Sequence, residues 1–164
     1  MRACWIAGAF GPAGFAVTKS LLEHGQPVVH LKFYEEEDEE EKRMFVARNS
    51  NFSEHPFPVD EQSLADAAAF IIPIYDWLRF DGEQRKEFLR KTEALMKKIE
   101  ALQIPAILIL SGDEDCRRLA ESIFTCTGSL PVRSIHLPGK ITENGAVPLD
   151  RILDTGKEGL AMLT

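Results

Sequence analysis

Residues 2–33 read RACWIAGAFGPAGFAVTKSLLEHGQPVVHLKF, and their pattern decides the fold. RACWIAG, at 2–8, is a short apolar run closed by a glycine. From Gly14 to Gly25 the apolar residues Phe15, Val17, Leu21 and Leu22 recur at helical spacing, and His24-Gly25 ends the pattern. PVVHLKF, at 27–33, is short, β-branched and apolar, the composition of a buried strand. A strand, a glycine-bearing loop, a helix and a second strand within about 30 residues form a crossover unit with parallel strands.

The alternation continues along the chain. Residues 35–41, EEEDEEE, are predicted as a solvated loop or fraying helix, because mutual repulsion forbids their burial. A third strand is expected at 43–48, RMFVAR, followed by a polar, proline-bearing loop at 49–62. A short helix begins near Ser63, and AAFIIPIY at 68–75 reads as a fourth strand bent at Pro73. The longest helix runs from about Gly82 to Leu102, with Phe88, Leu95, Ile99 and Leu102 on one stripe. AILILSG at 106–112 is the fifth strand, 114–126 a helix capped by Asp113, and 131–139 the sixth strand. The tail from Pro148 onward is expected to fold back as short helical turns. Strands alternating with helices imply one α/β domain over 1–164, three-layered, with a mostly parallel sheet of about six strands. Ligands of such sheets bind beyond the carboxyl ends of the strands.

Composition bounds the function. Apolar residues make up 45% and charged residues 27% of the 164, so the core needs no disulfide or structural metal. The net charge of −7 equals the length of the acidic run, and the rest of the chain is balanced. No basic footprint for nucleic acid exists, and no apolar run has the length of a membrane span. The amino terminus is read as structure rather than as a targeting segment. Three cysteines without repeated spacing suit a reducing cytoplasm.

Gly8, Gly11 and Gly14 form G-x-x-G-x-x-G between the first strand and the first helix. Glycines there permit a tight turn, let a pyrophosphate approach the backbone and seat the helix close to the sheet. Amides at the helix start then favour an anion. The alternative is that the glycines only make the turn. The loop and the following GFAVTKSLLEHGQPVVHLKF resemble the opening of the extended and atypical short-chain dehydrogenases/reductases, the epimerase-like group with a Rossmann fold. FPVDEQSL, KTEALMKKIEAL with PAILILSG, VRSIHLPGKI and AVPLDRILDTGKEGLAML resemble later segments of that group more loosely. The resemblance implies a dinucleotide, NADP or NAD, bound at Gly8, Phe10, Gly11, Pro12, Ala13 and Gly14. It places the family's serine at Ser111.

The chain departs from that pattern at its chemistry. The family's Y-x-x-x-K motif is missing: by the same alignment Asp113 stands at the tyrosine position and Arg117 at the lysine position. Arginine cannot serve as a tunable amine, though it can hold a ribose or phosphate. Tyr75, with Arg79 four residues on, is the remaining phenol candidate, against the alternative of an amphipathic aromatic at the sheet edge. Lys32 takes the position of a ribose-binding acid, which points to a 2′-phosphate, yet the seven acids start three residues later. The residues after the fourth strand, IIPIYD, also depart from the family, and no substrate domain of the usual size follows.

Other clusters read as structure. Asp113, Glu114 and Asp115 could hold Mg²⁺ but suit a helix start; the four histidines lack ligand spacing; Cys116 sits near a helix start without a partner. Phe10 and Pro12 could fill the cofactor cleft themselves. The expectation is a non-catalytic nucleotide-binding or accessory protein. The alternative is a small atypical NAD(P)-dependent reductase or epimerase using Ser111 and Tyr75. A homodimer through the Phe88 stripe, against the alternative that the stripe packs on the sheet, and a basic protein partner at the acidic run are further expectations.

Overall fold

The computed structural model describes residues 2–125 and 132–137. Six parallel strands form one sheet: β1 (Ala3–Ala7), β2 (Val28–Lys32), β3 (Phe52–Pro56), β4 (Ala67–Ile72), β5 (Ala106–Ser111) and β6 (Val132–Leu137). Their spatial order is β3-β2-β1-β4-β5-β6. The order reverses between β1 and β4, which makes the gap at their carboxyl ends the natural ligand crevice.

The helices are α1 (Pro12–Glu23), α2 (Glu39–Val46), α3 (Glu61–Leu64), α4 (Ile74–Trp77), α5 (Gly82–Leu102) and α6 (Glu114–Thr125). Side chains alternate across each central strand, and both faces are buried, as a parallel sheet requires. Trp5, Phe70, Ile72, Leu108 and Leu110 face α5 and α6, whereas Cys4, Ile6, Ile71, Ile107 and Ile109 share a second core with α1 residues. The α5 stripe lies inside the first core. Phe88, Leu95 and Ile99 are buried there and Leu102 packs against it, so the stripe takes the alternative of packing on the sheet.

The third strand is a correction. Residues 43–48 belong largely to α2, and the strand lies at 52–56, within the expected loop. Glu39, Glu40 and Glu41 sit in the first turn of α2, where the helix dipole favours acids. Arg43 then pairs with Glu39 and Glu40 one turn back. β3 is a half-exposed edge strand, so its polar sequence FSEHP carries no apolar alternation. Arg43 also binds Glu54 at 3.0 Å, tying helix to strand. Asp60, rather than Ser63, caps α3 by accepting from the Ser63 N–H at 2.7 Å. The expected tail turns and residues 131 and 138–139 of the expected sixth strand lie outside the described residues.

Candidate functional site: a glycine cradle filled by Asp76

β1 ends at Ala7, and the chain turns at Gly8 with φ of +89°, a conformation that penalises a Cβ. Helix α1 starts with Pro12, which has no N–H to offer. The next two amides are the ones an anion would use. Both are taken: the Ala13 N–H donates to Asp76 Oδ1 at 2.8 Å and the Gly14 N–H to Asp76 Oδ2 at 2.9 Å. The Phe15 N–H closes the first turn of the helix on Gly11 O at 2.8 Å. The carboxylate arrives from α4, just beyond β4, and is completely buried. It also covers Gly11, where a Cβ would overlap its atoms.

This geometry is that of a bound oxyanion, with a side chain in the anion's place. Burial pushes the Asp76 pKa up to about 6, and the two amides and Arg79 pull against that rise. The residues that a pyrophosphate would need are therefore present, but they do not fit one as folded. Asp76 would first have to leave.

A second layer lies over the cradle. The Tyr34 ring, from the segment after β2, covers Gly8, with its hydroxyl 2.6 Å from where a Cβ would stand. That hydroxyl is enclosed and has no hydrogen-bond partner among the described residues. Tyr34 packs on Phe80 at 5.0 Å between ring centres. Glu36 and Arg79 form an ion pair, and Arg79 Nε donates to the Asp76 carbonyl at 3.3 Å. Residues following β2 and β4 thus meet over the carboxyl end of β1.

His30, buried in β2, supports the loop from the other side. Its Nδ1 accepts the Ala9 N–H at 2.9 Å. Its Nε2 has no hydrogen-bond partner among the described residues and lies 4.0 Å from both Glu39 and Glu54. The three side chains have the composition of a metal site. The Ala9 bond decides otherwise: a neutral ring that accepts at Nδ1 carries its proton on Nε2, leaving no lone pair there for a metal. Arg43 already engages both carboxylates. Burial and the nearby Arg43 and Lys32 lower the His30 pKa to about 3, so the ring stays neutral.

The other expected residues fall as follows. Phe10 is buried against His30, Phe15 and Phe52, beneath the Arg43 guanidinium. Lys32 is exposed at the end of β2, beside a cavity of about 760 Å³ that six glutamates line together with Lys32 and Arg43. That acidity opposes a 2′-phosphate. Tyr75 is fully buried in the α1-side core, its hydroxyl has no hydrogen-bond partner among the described residues, and burial pushes its pKa up to about 12. Ser111 ends β5, with its hydroxyl accepting the Asp113 N–H at 3.3 Å and its own N–H directed to Cys116 Sγ at 3.3 Å. Cys116 is buried and its thiol pKa is raised by that burial. Arg117 is bound by Glu114 and Glu121 on its own helix.

No family model matches the chain, and no curated protein matches it. Solved structures do. The Bordetella bronchiseptica enzyme WbmH in complex with NAD+ is similar with a TM-score of 0.66 at 12% identity, over 99% of this chain and 72% of that one. A Burkholderia thailandensis oxidoreductase of the short chain dehydrogenase/reductase family follows with a TM-score of 0.60 at 13% identity, over 99% and 85%. Phenylacrylic acid decarboxylase from Aquifex aeolicus gives 0.57 at 11% identity, over 99% and 97%. At these identities the likeness establishes the fold, a Rossmann-type α/β domain. No helix among the described residues is long and apolar enough to cross a membrane.

Proposed function

We propose that this chain is a non-catalytic Rossmann-type domain whose dinucleotide cradle is closed as folded, and that it works as an accessory protein through contacts with other proteins. One observation carries the reading: the Ala13 and Gly14 amides already hold the Asp76 carboxylate. A dinucleotide phosphate offers those amides nothing they lack, and approaches a buried acid to reach them.

Two further features agree. The Tyr75 phenol is buried, and that burial raises its pKa and opposes its ionisation. On the outside, α2 exposes Met44 at 76% and Phe45 at 71%, large apolar side chains suited to a protein contact.

Titration calorimetry with NADPH, NADH and their oxidised forms tests the reading. No heat of binding is expected for any of the four. Micromolar binding of one form would overturn it and return the reductase reading, with Ser111 as the surviving candidate.

A further inference from the structure

Helix α2 uses only one of its faces within the fold. Its inner side carries the buried Val46, with Glu39, Lys42 and Arg43 half-buried and ion-paired. Its outer side carries Glu41, Met44, Phe45 and, in the turn just past the helix, Arg48. The spacing i, i+3, i+4, i+7 sets these four on one stripe, and all four are exposed. Phe45 is ordered before any partner arrives. It packs edge-on against Phe15 at 6.0 Å between ring centres, and Lys19 Nζ lies 5.7 Å from its ring centre. Neither Glu41 nor Arg48 makes an ion pair among the described residues.

The order along this stripe is acid, apolar, apolar, base, placed symmetrically about the Met44–Phe45 bond. We propose that its partner is a second copy of this chain, with the two α2 helices packed antiparallel across a two-fold axis at that bond. A two-fold contact presents the same patch from both sides, so the patch must complement itself. This one does: Met44 meets Phe45 of the second copy, Glu41 meets its Arg48, and both relations repeat through the axis. A parallel pairing would set Glu41 against Glu41 and Arg48 against Arg48, and like charges repel. The base expected opposite the acidic run is then supplied by the chain itself. The inference rests on the protein-contact half of the reading above and names its partner. Four residues a side make a small contact, so the association is weak.

Sedimentation equilibrium of the full chain, from about 10 µM to about 1 mM, tests the pairing. In about 0.15 M salt the repulsion between two copies of net charge −7 is screened beyond about 8 Å. The wild type is expected to approach twice the monomer mass over that range. Phe45→Ser and Glu41→Arg are each expected to weaken association at least about tenfold. Glu41→Arg combined with Arg48→Glu exchanges the signs, and is expected to restore association to within about threefold of wild type. Thermal unfolding at the lowest concentration checks that each variant folds. A wild type that stays monomeric to the top of the range overturns the pairing. So does a dimer that ignores Phe45→Ser, or a double variant that stays as weak as Glu41→Arg alone. Each of those results leaves the closed cradle standing. Dinucleotide binding by the wild type would sink the closed cradle instead and leave the pairing untouched.

Discussion

Helices α1 and α5 solve the same problem in opposite ways. Each must satisfy the amides of its first turn. In α5 the solution is local: Asp81 accepts from the Gln84 N–H at 2.8 Å, and Gln84 Oε1 accepts from the Asp81 N–H at 3.1 Å, a reciprocal capping box in solvent. In α1 the cap is Asp76, more than sixty residues away and buried. A local cap is a few tenths to about 2 kcal/mol of helix stability. A remote buried cap fixes two segments together and fills the place an anion would take at those amides. The lesson is that occupancy of an anion site depends on which element supplies the acid, and not on the glycine motif alone.

The largest effect is expected at Asp76 itself. Asp76→Ala leaves two buried N–H groups without acceptors, at about 1–3 kcal/mol each, partly offset by removal of a desolvated charge. A net loss of about 2–4 kcal/mol is expected by denaturant unfolding. Gly11→Ala attacks the same contact from the other side, since its Cβ overlaps the carboxylate, and is expected to cost about 2 kcal/mol.

A pH series sharpens it next. Asp76 has a folded pKa of about 6, above the unfolded 3.8, so its contribution is fully present below pH 3.8 and is lost as pH rises through 6. His30 runs the other way. Its folded pKa is about 3 against 6.5, so its contribution is present above pH 6.5 and is lost as pH falls toward 3. Each single-proton slope is at most about 1.4 kcal/mol per pH unit, so the two oppose each other between about pH 4 and 6. Relative to wild type, His30→Asn is expected to grow more stable as pH falls through that window, and Asp76→Asn less stable. Parallel curves for all three proteins would remove both assignments.

Asp81→Ala is expected to cost only about 1 kcal/mol by denaturant unfolding. Phe45→Ser, on the exposed face of α2, is expected to stay within about 0.5 kcal/mol by thermal unfolding.

The sequence made the fold readable where burial is two-sided. The apolar runs of β1, β2, β4 and β5 and the stripe of α5 carry the periodicity of their elements. β3 escaped because an edge strand half open to water has no apolar signature, and α2 because a short RMFVAR run is ambiguous between helix and strand. The glycine loop was legible as a motif, but its occupant was not. Asp76 lies in the apolar stretch IIPIYDW, and one acid there was the available signal. His30 in VVHLK was the same kind of signal. A buried polar residue in an apolar element needs a partner, but sequence does not say that the partner is the loop itself. Tyr75 was readable as a phenol near the crevice, and only packing shows that it faces the core.

The most direct test of the account follows the Ala13 and Gly14 amide resonances of the wild-type protein as NADP+ is added to millimolar excess. Amides held by Asp76 are predicted to keep their positions throughout the titration. Saturable movement of both would show that the dinucleotide reaches them, and would contradict the closed cradle.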